Sequence, residues 1–227
     1  MIMNKKPAVM SWSSGKDSAF ALQAARQRPD IELVGLVSTF NEMFDRVAIH
    51  GTQRKIAAAQ AQSLGLSLIE VDLPYPCSNE DYDARMAACV NSLKSRNIHD
   101  WVFGDLFLED VRAYREERLL GAGLTPHFPL WGMDTPQLAQ QMLADGLVAH
   151  IVTLNPNKLP KELCGHPFNQ AFLDQLPEGV DPCGENGEFH TVVSFAPGFA
   201  APLNLVQGET VEREGFVYTD FSLPAGG

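Results

Sequence analysis

The fold is decided by residues 8–18, which read Ala8-Val9-Met10-Ser11-Trp12-Ser13-Ser14-Gly15-Lys16-Asp17-Ser18. This stretch begins with a short apolar run that predicts a buried strand, and the apolar residues 19–22 after it predict the start of a helix. Between them lies a turn of small and charged residues. A strand, such a turn and a helix start present free backbone N–H groups and a positive helix end to an anion. We therefore expect this turn to bind phosphate.

The residue types in the turn fit a polyphosphate. Gly15 lets the backbone approach closely, and Lys16 adds a positive charge. Asp17 would repel phosphate unless it caps backbone N–H groups or helps to hold Mg²⁺. The candidate hydroxyl donors are Ser11, Ser13, Ser14 and Ser18. The alternative is an ordinary capping turn, which does not require glycine, lysine and aspartate together.

Composition narrows the class of protein. A chain of 227 residues that is 45% hydrophobic can bury a sizeable core, as one large or two small domains. It has neither a membrane-length apolar run nor a signal-peptide pattern, so we expect a soluble, cytoplasmic protein without a membrane partner. A net charge of −11 argues against binding RNA or DNA. Four scattered cysteines without a C-x-x-C pair argue against a zinc ribbon or a disulfide framework.

Apolar runs alternate with helical patterns through the first half of the chain. Strands are predicted at residues 8–11, 31–38, 68–72, 100–104 and 125–128. Helices are predicted at 19–28, at 52–64 with Thr52 as the cap, at 79–96 with Asn79 as the cap, and at 109–121. This alternation predicts an α/β fold with a doubly wound, five-stranded parallel sheet, whose ligands bind at the carboxyl ends of the strands.

Two further strand ends are candidate binding positions at that edge. Ser38 and Thr39 could offer main-chain hydrogen bonds to an adenine, and Gly104 and Asp105 would lie beside the phosphates. His50 ends the loop after the second strand. It is a candidate ligand contact, although a lone histidine is more often structural.

The pattern changes after residue 128. A loop at 129–134 precedes a helix at 135–145, a strand at 147–154, a short helix at 169–176 and strands at 191–195 and 216–221. We predict a nucleotide-binding domain at 1–128 and a smaller α+β substrate domain at 129–227.

An acidic, glycine-rich loop at 181–190 is the second chemical signal. Its Glu185 and Glu188 could hold Mg²⁺ or orient and deprotonate a nucleophile. A solvated turn before a strand would have the same composition. A zinc site made by Cys183, His190 and Cys164 would match no standard ligand spacing.

Three arginines recur every third residue in the fourth predicted helix, namely Arg112, Arg115 and Arg118. They could clamp a phosphate or a substrate carboxylate. The alternative is surface pairing with nearby glutamates, namely Glu109, Glu116 and Glu117.

The turn at 13–18 is not a Walker A loop, because Met10 and Asp17 stand where that motif has glycine and serine or threonine. It resembles the SGGxDS pyrophosphate loop (PP-loop) of the adenine nucleotide alpha-hydrolase superfamily. Over nearly the whole chain the sequence resembles the diphthine–ammonia ligase (diphthamide synthase) family of that superfamily. The resemblance runs through His50, Gly104-Asp105, Pro129-Leu130-Trp131 and the stretch 184–191, which is similar to the element GEGGE-[FY]-x-T. Ser14, Asn186 and His190 depart from the family pattern.

The resemblance implies an ATP-dependent, amide-forming ligase. The carboxylate of the acceptor, in this family a modified histidine of elongation factor 2, attacks the α-phosphate of ATP, and free ammonia then displaces AMP. Lys16 and either Glu185 or Glu188 would be catalytic, with ATP and Mg²⁺ as cofactors and Asp17 as the magnesium ligand. The implied substrate contacts are Arg112, Arg115, Gly184, Gly187 and His190.

Three alternatives stay open at this point. One is a PP-loop enzyme that modifies tRNA, against which the net charge and the missing C-x-x-C pair speak. The second keeps the chemistry with a small molecule or another protein as the acceptor. The third is a non-catalytic nucleotide sensor of the universal-stress type. The sequence leaves a homodimer open as well.

Overall fold

The structure is a computed structural model that describes residues 5–224. The helices are α1 (Lys16–Arg26), α2 (Arg54–Leu64), α3 (Asn79–Ser95), α4 (Glu109–Gly121), α5 (Thr135–Ala144) and α6 (Gln170–Leu173), with a 3₁₀ turn at Lys161–Leu163. The strands are β1 (Lys6–Ser11), β2 (Ile31–Asn41), β3 (Arg46–Val47), β4 (Ser67–Leu73), β5 (Asp100–Val102), β6 (Thr125–His127), β7 (Val148–Leu154), β8 (Phe189–Phe195), β9 (Val206–Arg213) and β10 (Phe216–Ser222). Within these residues no helix has both the length and the apolar character that crossing a membrane requires.

The larger sheet contains five parallel strands in the order β4-β2-β1-β5-β6. The two-residue strand β3 pairs antiparallel with the end of β2, beyond the end of β1. The strand order reverses at β1, because the chain proceeds to β2 on one side of β1 and to β5 on the other. This topology confirms the predicted doubly wound, five-stranded parallel sheet. It also places the turn after β1 at the switch point, where such sheets bind ligands.

The smaller sheet is antiparallel, in the order β8-β7-β10-β9. It confirms the second, smaller α+β part of the predicted fold. Strand β9 is exposed along its whole length, and the sequence analysis did not predict it. Its residues are mostly polar, so the strand carries no apolar alternation that would reveal it.

The two sheets share a hydrophobic core. Side chains of β1 alternate between two clusters: Ala8 and Met10 join one, and Val9 joins the other. The first cluster also contains Ile151 and Phe172 from the second half of the chain. Each large apolar side chain buried in it stabilises the fold by about 1.5–3 kcal/mol. The predicted domain boundary after residue 128 lies between β6 and α5 and stays a prediction.

Three predicted helix starts were wrong by a few residues. Helix α1 begins at Lys16 rather than at residue 19, so the turn runs directly into the helix. Thr52 is not the cap of α2, since Gln53 occupies that position without a side-chain hydrogen bond. Asn79 is the first residue of α3 rather than its cap. Ser78 is the cap, and its Oγ accepts a hydrogen bond from a first-turn N–H at 3.1 Å.

Candidate functional site

The turn after β1 has an unusual backbone. Ser14 is buried with φ +69°, in the left-handed region where a residue other than glycine costs about 1–2 kcal/mol. Its Oγ is buried and has no hydrogen-bond partner in residues 5–224. At Gly15 an added Cβ would lie 3.1 Å from the carbonyl oxygen of Thr191. The turn is therefore strained at Ser14 and closely packed at Gly15, as expected at a site where backbone conformation serves a ligand.

Part of the hydrogen-bonding capacity of the turn is unused. The N–H of Lys16 donates to Thr191 Oγ1 at 3.0 Å, and the N–H of Gly15 reaches Ser13 Oγ only at 3.4 Å. The N–H groups of Ser13 and Ser14 find no acceptor in the described part of the chain. The N-cap residue of α1 is Gly15, which has no side chain, so apart from the Lys16 N–H bonded to Thr191 the positive end of the helix is open as well. These features make the turn a candidate anion site.

The hydroxyls of the turn are used internally. Ser18 Oγ donates to Gly15 O at 2.9 Å, and Ser13 Oγ donates to Ser18 Oγ at 3.2 Å. These bonds brace the turn against the first residues of α1. A ligand would have to compete with them for the same hydroxyls, so the backbone N–H groups are the more accessible donors.

Two residues that the sequence analysis did not select hold the turn in place. The side chain of Gln60 accepts from Trp12 Nε1 at 2.9 Å and donates to Ser14 O at 3.2 Å and Val193 O at 2.7 Å. Thr191, on β8, accepts from the turn as described above. Gln60 lies in an alanine- and glutamine-rich helix, where nothing local marks it. Thr191 belongs to the acidic element and could have been selected from it.

Lys16 is only 2% exposed and points away from solvent. Its Nζ donates to both carboxylate oxygens of Asp17, at 2.9 and 2.8 Å, and to the carbonyl of Cys183. Burial lowers the pKa of this ammonium, but the charges of Asp17, Cys183 and Glu185 oppose it and the pKa is raised overall. The lysine therefore remains charged and joins the turn to the acidic loop.

The acidic loop folds over the turn through two glycines. Gly184 has φ +74°, and an added Cβ would lie 2.8 Å from Phe189 O, so only glycine fits. Gly187 also has a positive φ, 75°, and its surroundings are open. Gly184 and Gly187, the two glycines named as implied substrate contacts, thus form turns in the acidic loop.

The two glutamates of the loop have different surroundings. Glu185 Oε1 accepts from the N–H of Leu106 at 2.8 Å, which ties the loop to the segment after β5. Burial, together with the nearby negative charges of Asp17 and Asp105, raises the pKa of Glu185 to about 7. Glu188 is turned into the loop and is almost fully buried. Its Oε1 lies 3.8 Å from Lys158 Nζ.

Gly104 packs directly against the first turn of α1. An added Cβ there would lie 2.9 Å from the carbonyl carbon of Asp17. The neighbouring Asp105 forms an ion pair with Arg115 at 2.8 Å, and the Arg115 guanidinium lies 4.6 Å from the ring centroid of Phe103. The predicted pair Gly104-Asp105 therefore lies beside the turn, with Arg115 anchored behind it.

The other two arginines make different ion pairs, although Arg118 also lies in the wall of the cavity at the strand ends described below. Arg112 pairs with Glu116 at 2.7 Å, as the surface alternative predicted, and stacks against aromatic rings. Arg118 pairs with Asp83 of α3 at 2.9 Å rather than with a glutamate of its own helix. Of the two arginines proposed as substrate contacts, only Arg115 is brought to the turn.

A cavity of about 650 Å³ opens at the carboxyl ends of the parallel strands, and we call it the strand-end cavity. Ser11, Ser13 and Thr39 lie in its wall, as does Arg115. Ser38 does not line it, because this residue is buried and its Oγ donates to Trp12 O at 2.6 Å. The cavity has the size typical of small-ligand sites.

A second cavity of about 720 Å³ lies between the loop at 42–51 and the β9–β10 hairpin, and we call it the hairpin cavity. Six residues line both cavities, namely Val47, Ala48, Ile49, His50, Leu73 and Cys77. The ring of His50 stacks against His190 with centroids 4.3 Å apart. Burial, with a smaller contribution from the Lys16 charge, lowers the pKa of His190 to about 4. Burial also holds the pKa of His50 well below its usual value, with smaller contributions from His190 and Lys16. Both rings are therefore neutral near pH 7.

Within residues 5–224 no three histidine, cysteine, aspartate or glutamate side chains are arranged to hold a metal ion. Cys164, Cys183 and His190 therefore do not form such a group in the described residues. Cys183 instead contributes its backbone carbonyl to Lys16, and burial raises the pKa of its thiol to about 12.

Fold and site together define a doubly wound α/β protein whose central strand ends in a strained turn, a candidate anion site that contacts the acidic loop and β8. The family model "Diphthamide synthase N-terminal domain" matches residues 5–123, and "Diphthamide synthase C-terminal domain" matches residues 134–221. The chain belongs to the diphthamide synthase family, which confirms the resemblance seen in the sequence. It is 27% identical over 169 residues to a diphthine–ammonia ligase of Danio rerio. That similarity covers 66% of this chain and 65% of the relative's length.

Proposed function

We propose that the protein is an ATP-dependent ligase that adenylates a carboxylate, releases pyrophosphate and transfers ammonia to the acyl group. The observation that carries this proposal is the position of the turn 13–18. It lies at the switch point between β1 and β5, has N–H groups without acceptors and borders the strand-end cavity. The name of the Danio rerio relative supports diphthine, the modified histidine of elongation factor 2, as the acceptor.

The turn is suited to the departing pyrophosphate. The N–H groups of Ser13 and Ser14 and the open end of α1 offer fixed positive dipoles to the β- and γ-phosphates. Lys16 adds its charge from behind the turn, since its ammonium is held by Asp17 and Cys183. Because these groups are already oriented, they stabilise the developing charge without reorganisation.

The strand-end cavity is the proposed adenosine site. Its volume of about 650 Å³ suits a nucleoside, and its apolar wall includes Trp12 after β1, Trp101 of β5 and Met86 of α3. Thr39 lies in the wall at the end of β2, where main-chain groups could meet the adenine edge. The phosphates would then lie toward Ser13.

Asp17 fits magnesium only when phosphate oxygens complete the ligand set. Its carboxylate is part-buried next to the turn, but both oxygens contact Lys16, and the described residues offer no three-residue metal cluster. Magnesium commonly binds through one or two carboxylates and the phosphates of a nucleotide. Bound in this way, the metal would neutralise charge on the leaving pyrophosphate.

The chemistry then needs two displacements. An acceptor carboxylate oxygen attacks the α-phosphorus, and the bond to the β-phosphate oxygen breaks. Ammonia next attacks the acyl carbon, the C–O bond to AMP breaks, and the nitrogen loses a proton. Glu185, with its pKa of about 7, is suited to accept that proton. Glu188 is buried in the acidic loop and would hold that loop in position.

An isotope experiment tests this proposal. The protein is incubated with ATP, Mg²⁺, ammonium and elongation factor 2 whose diphthine carboxylate carries ¹⁸O. We expect pyrophosphate and AMP as products, with one ¹⁸O atom in the AMP phosphate. Formation of ADP and orthophosphate, or AMP without the label, would contradict the proposal.

A matched pair of variants links the reaction to the turn. Asp17→Asn should reduce the rate of pyrophosphate release at least tenfold, because it removes the carboxylate proposed to meet magnesium. Asp174→Asn changes an exposed aspartate after α6 and should leave the rate unchanged. Equal loss in both variants would point to a general effect on the fold.

A further inference from the structure

The hairpin cavity has no occupant in the scheme above. It is about 720 Å³ in volume and shares a wall with the strand-end cavity. His50 lies in that shared wall, and its Nδ1 is buried without a hydrogen-bond partner in the described residues. A molecule in the hairpin cavity would therefore have a short route past His50 to the nucleotide.

The shared wall is held in a strained conformation. Ile49 has φ +69°, and a β-branched residue in the left-handed region is an outlier. Its side chain is exposed, so apolar burial does not compensate for the strain. The adjacent His50 is fixed on both sides, because its N–H donates to Ala48 O at 2.8 Å and its carbonyl accepts from Thr153 Oγ1 at 3.1 Å. Such strain is typical of segments shaped by a ligand.

The rim of the hairpin cavity is apolar and exposed. Phe44, Ile49, Tyr75 and Val211 line it, and each is between 42% and 79% exposed. The rings of Phe44 and Tyr75 are in edge contact, with centroids 5.1 Å apart. Large apolar side chains gathered around one opening mark a surface that another protein covers. A small metabolite would occupy the interior and leave this rim in water.

Charge at the rim is mixed, since Glu209 and Glu214 line the cavity together with Arg46 and Arg213. Arg46 is neutralised by Asp220, at 2.6 Å. Arg213 lies at the rim, 5.9 Å from the ring centroid of Phe44, and forms no ion pair within residues 5–224. Glu214 is engaged by the hydroxyl of Tyr75 at 3.2 Å. Arg213 is thus available to attract a carboxylate.

We propose that the hairpin cavity is the acceptor site: a folded protein covers the apolar rim and inserts a carboxylate-bearing side chain past His50 into the strand-end cavity. This inference rests on the proposed function, since it assumes that a carboxylate must meet ATP. The inference adds the place where the acceptor binds. It also states that the protein recognises the folded surface of the acceptor rather than an isolated side chain.

Strand β9 supplies a matched pair of variants. Val211→Trp places a large ring in the hairpin cavity without altering any residue of the strand-end cavity. Val206→Trp makes the same change on the same strand, at a residue that lines neither cavity and is 48% exposed. Arg213→Ala serves as a second, less bulky probe. Binding of ATP to each variant, measured by calorimetry, shows that it is folded.

The probe is purified elongation factor 2 carrying diphthine, with binding measured by fluorescence anisotropy in the presence of a non-hydrolysable ATP analogue. We expect at least tenfold weaker binding for Val211→Trp, several-fold weaker binding for Arg213→Ala and no change for Val206→Trp. Wild-type binding that is unchanged in Val211→Trp, or no binding by the wild type, would overturn the inference. A short diphthine peptide that binds as tightly as the intact factor would also overturn it.

Binding and turnover separate this inference from the proposed function. If the factor binds in a Val211-dependent manner while no pyrophosphate or amide forms, the acceptor site stands and the ligase reaction fails. If amide forms in all variants at the wild-type KM for the factor, the reaction stands and the acceptor site lies elsewhere.

Discussion

The backbone N–H of Lys16 donates to the hydroxyl of Thr191 at 3.0 Å, although the two residues are 175 positions apart in the sequence. This bond joins the start of α1 in the parallel sheet layer to β8 of the antiparallel sheet. The conformation of the turn therefore depends on both halves of the chain.

Replacing Thr191 with Val should weaken both the fold and the turn. Valine has nearly the same shape but no acceptor, so the buried N–H of Lys16 would lose its partner at a cost of about 1–3 kcal/mol. Chemical denaturation and ATP titration would measure the two effects, and we expect ATP affinity to fall about tenfold. Thr191→Ser keeps the hydroxyl and is the control. Wild-type behaviour in the valine variant would show that this bond does not set the geometry of the turn.

Replacing Gly104 with Ala should displace the first turn of α1. The added Cβ would lie 2.9 Å from the carbonyl carbon of Asp17, which is backbone and cannot rotate away. We expect a loss of about 1–3 kcal/mol in the free energy of unfolding, with weaker ATP binding. Gly121→Ala is the control, because nothing lies within 4 Å of its added Cβ and it belongs to α4. That variant should be unchanged or slightly more stable.

Replacing Ser14 with Gly should not harm the protein. Glycine adopts the φ of +69° found here without the steric cost of a side chain, and the variant also removes a buried hydroxyl that has no partner. The greater freedom of glycine in the unfolded chain offsets part of this gain. We expect thermal denaturation to show a change between zero and about +1 kcal/mol. Ser14→Val should be destabilised by more than 1 kcal/mol, and a more stable valine variant would disprove the argument.

The parallel sheet and its turn could be predicted because their signals are local. The apolar run at 8–11 and the small residues after it lie within one short stretch, and the runs at 31–38 and 68–72 are also rich in apolar, β-branched residues. The strand order then brought Gly104 and Asp105 to the turn as predicted, since carboxyl ends of parallel strands share one edge.

What could not be predicted depends on contacts distant in sequence. Gln60 bridges Trp12, Ser14 and Val193, and no local pattern of α2 distinguishes it from the other glutamines. The orientation of Lys16 was also beyond the sequence, because it depends on where the carbonyl of Cys183 lies. The sequence predicts that Lys16 contacts phosphate; in the structure its ammonium is buried against Asp17 and the carbonyl of Cys183.

Glu185 should make stability and activity depend on pH in opposite directions. Its pKa is raised to about 7 from the usual 4.5, so between those values the folded protein binds more protons at this group than the unfolded chain does. The contribution of Glu185 to stability is therefore largest below about pH 4.5 and is lost as the pH rises to about 7. Proton acceptance during amide formation requires the ionised form, so the rate should rise over the same pH range.

The variant Glu185→Gln tests the pH dependence of both stability and activity. It removes the titrating group but keeps the hydrogen bond, because the amide oxygen can still accept from the N–H of Leu106. We expect the variant to gain stability relative to wild type as the pH rises from 5 to 8, by about 1–2 kcal/mol after allowance for solvent screening. Its rate of amide formation should fall at least tenfold and lose its rise near pH 7. Denaturation curves and initial rates at matched pH values supply the measurements. A wild-type pH profile in the glutamine variant would assign the proton transfer to another group, because glutamine does not titrate in this range.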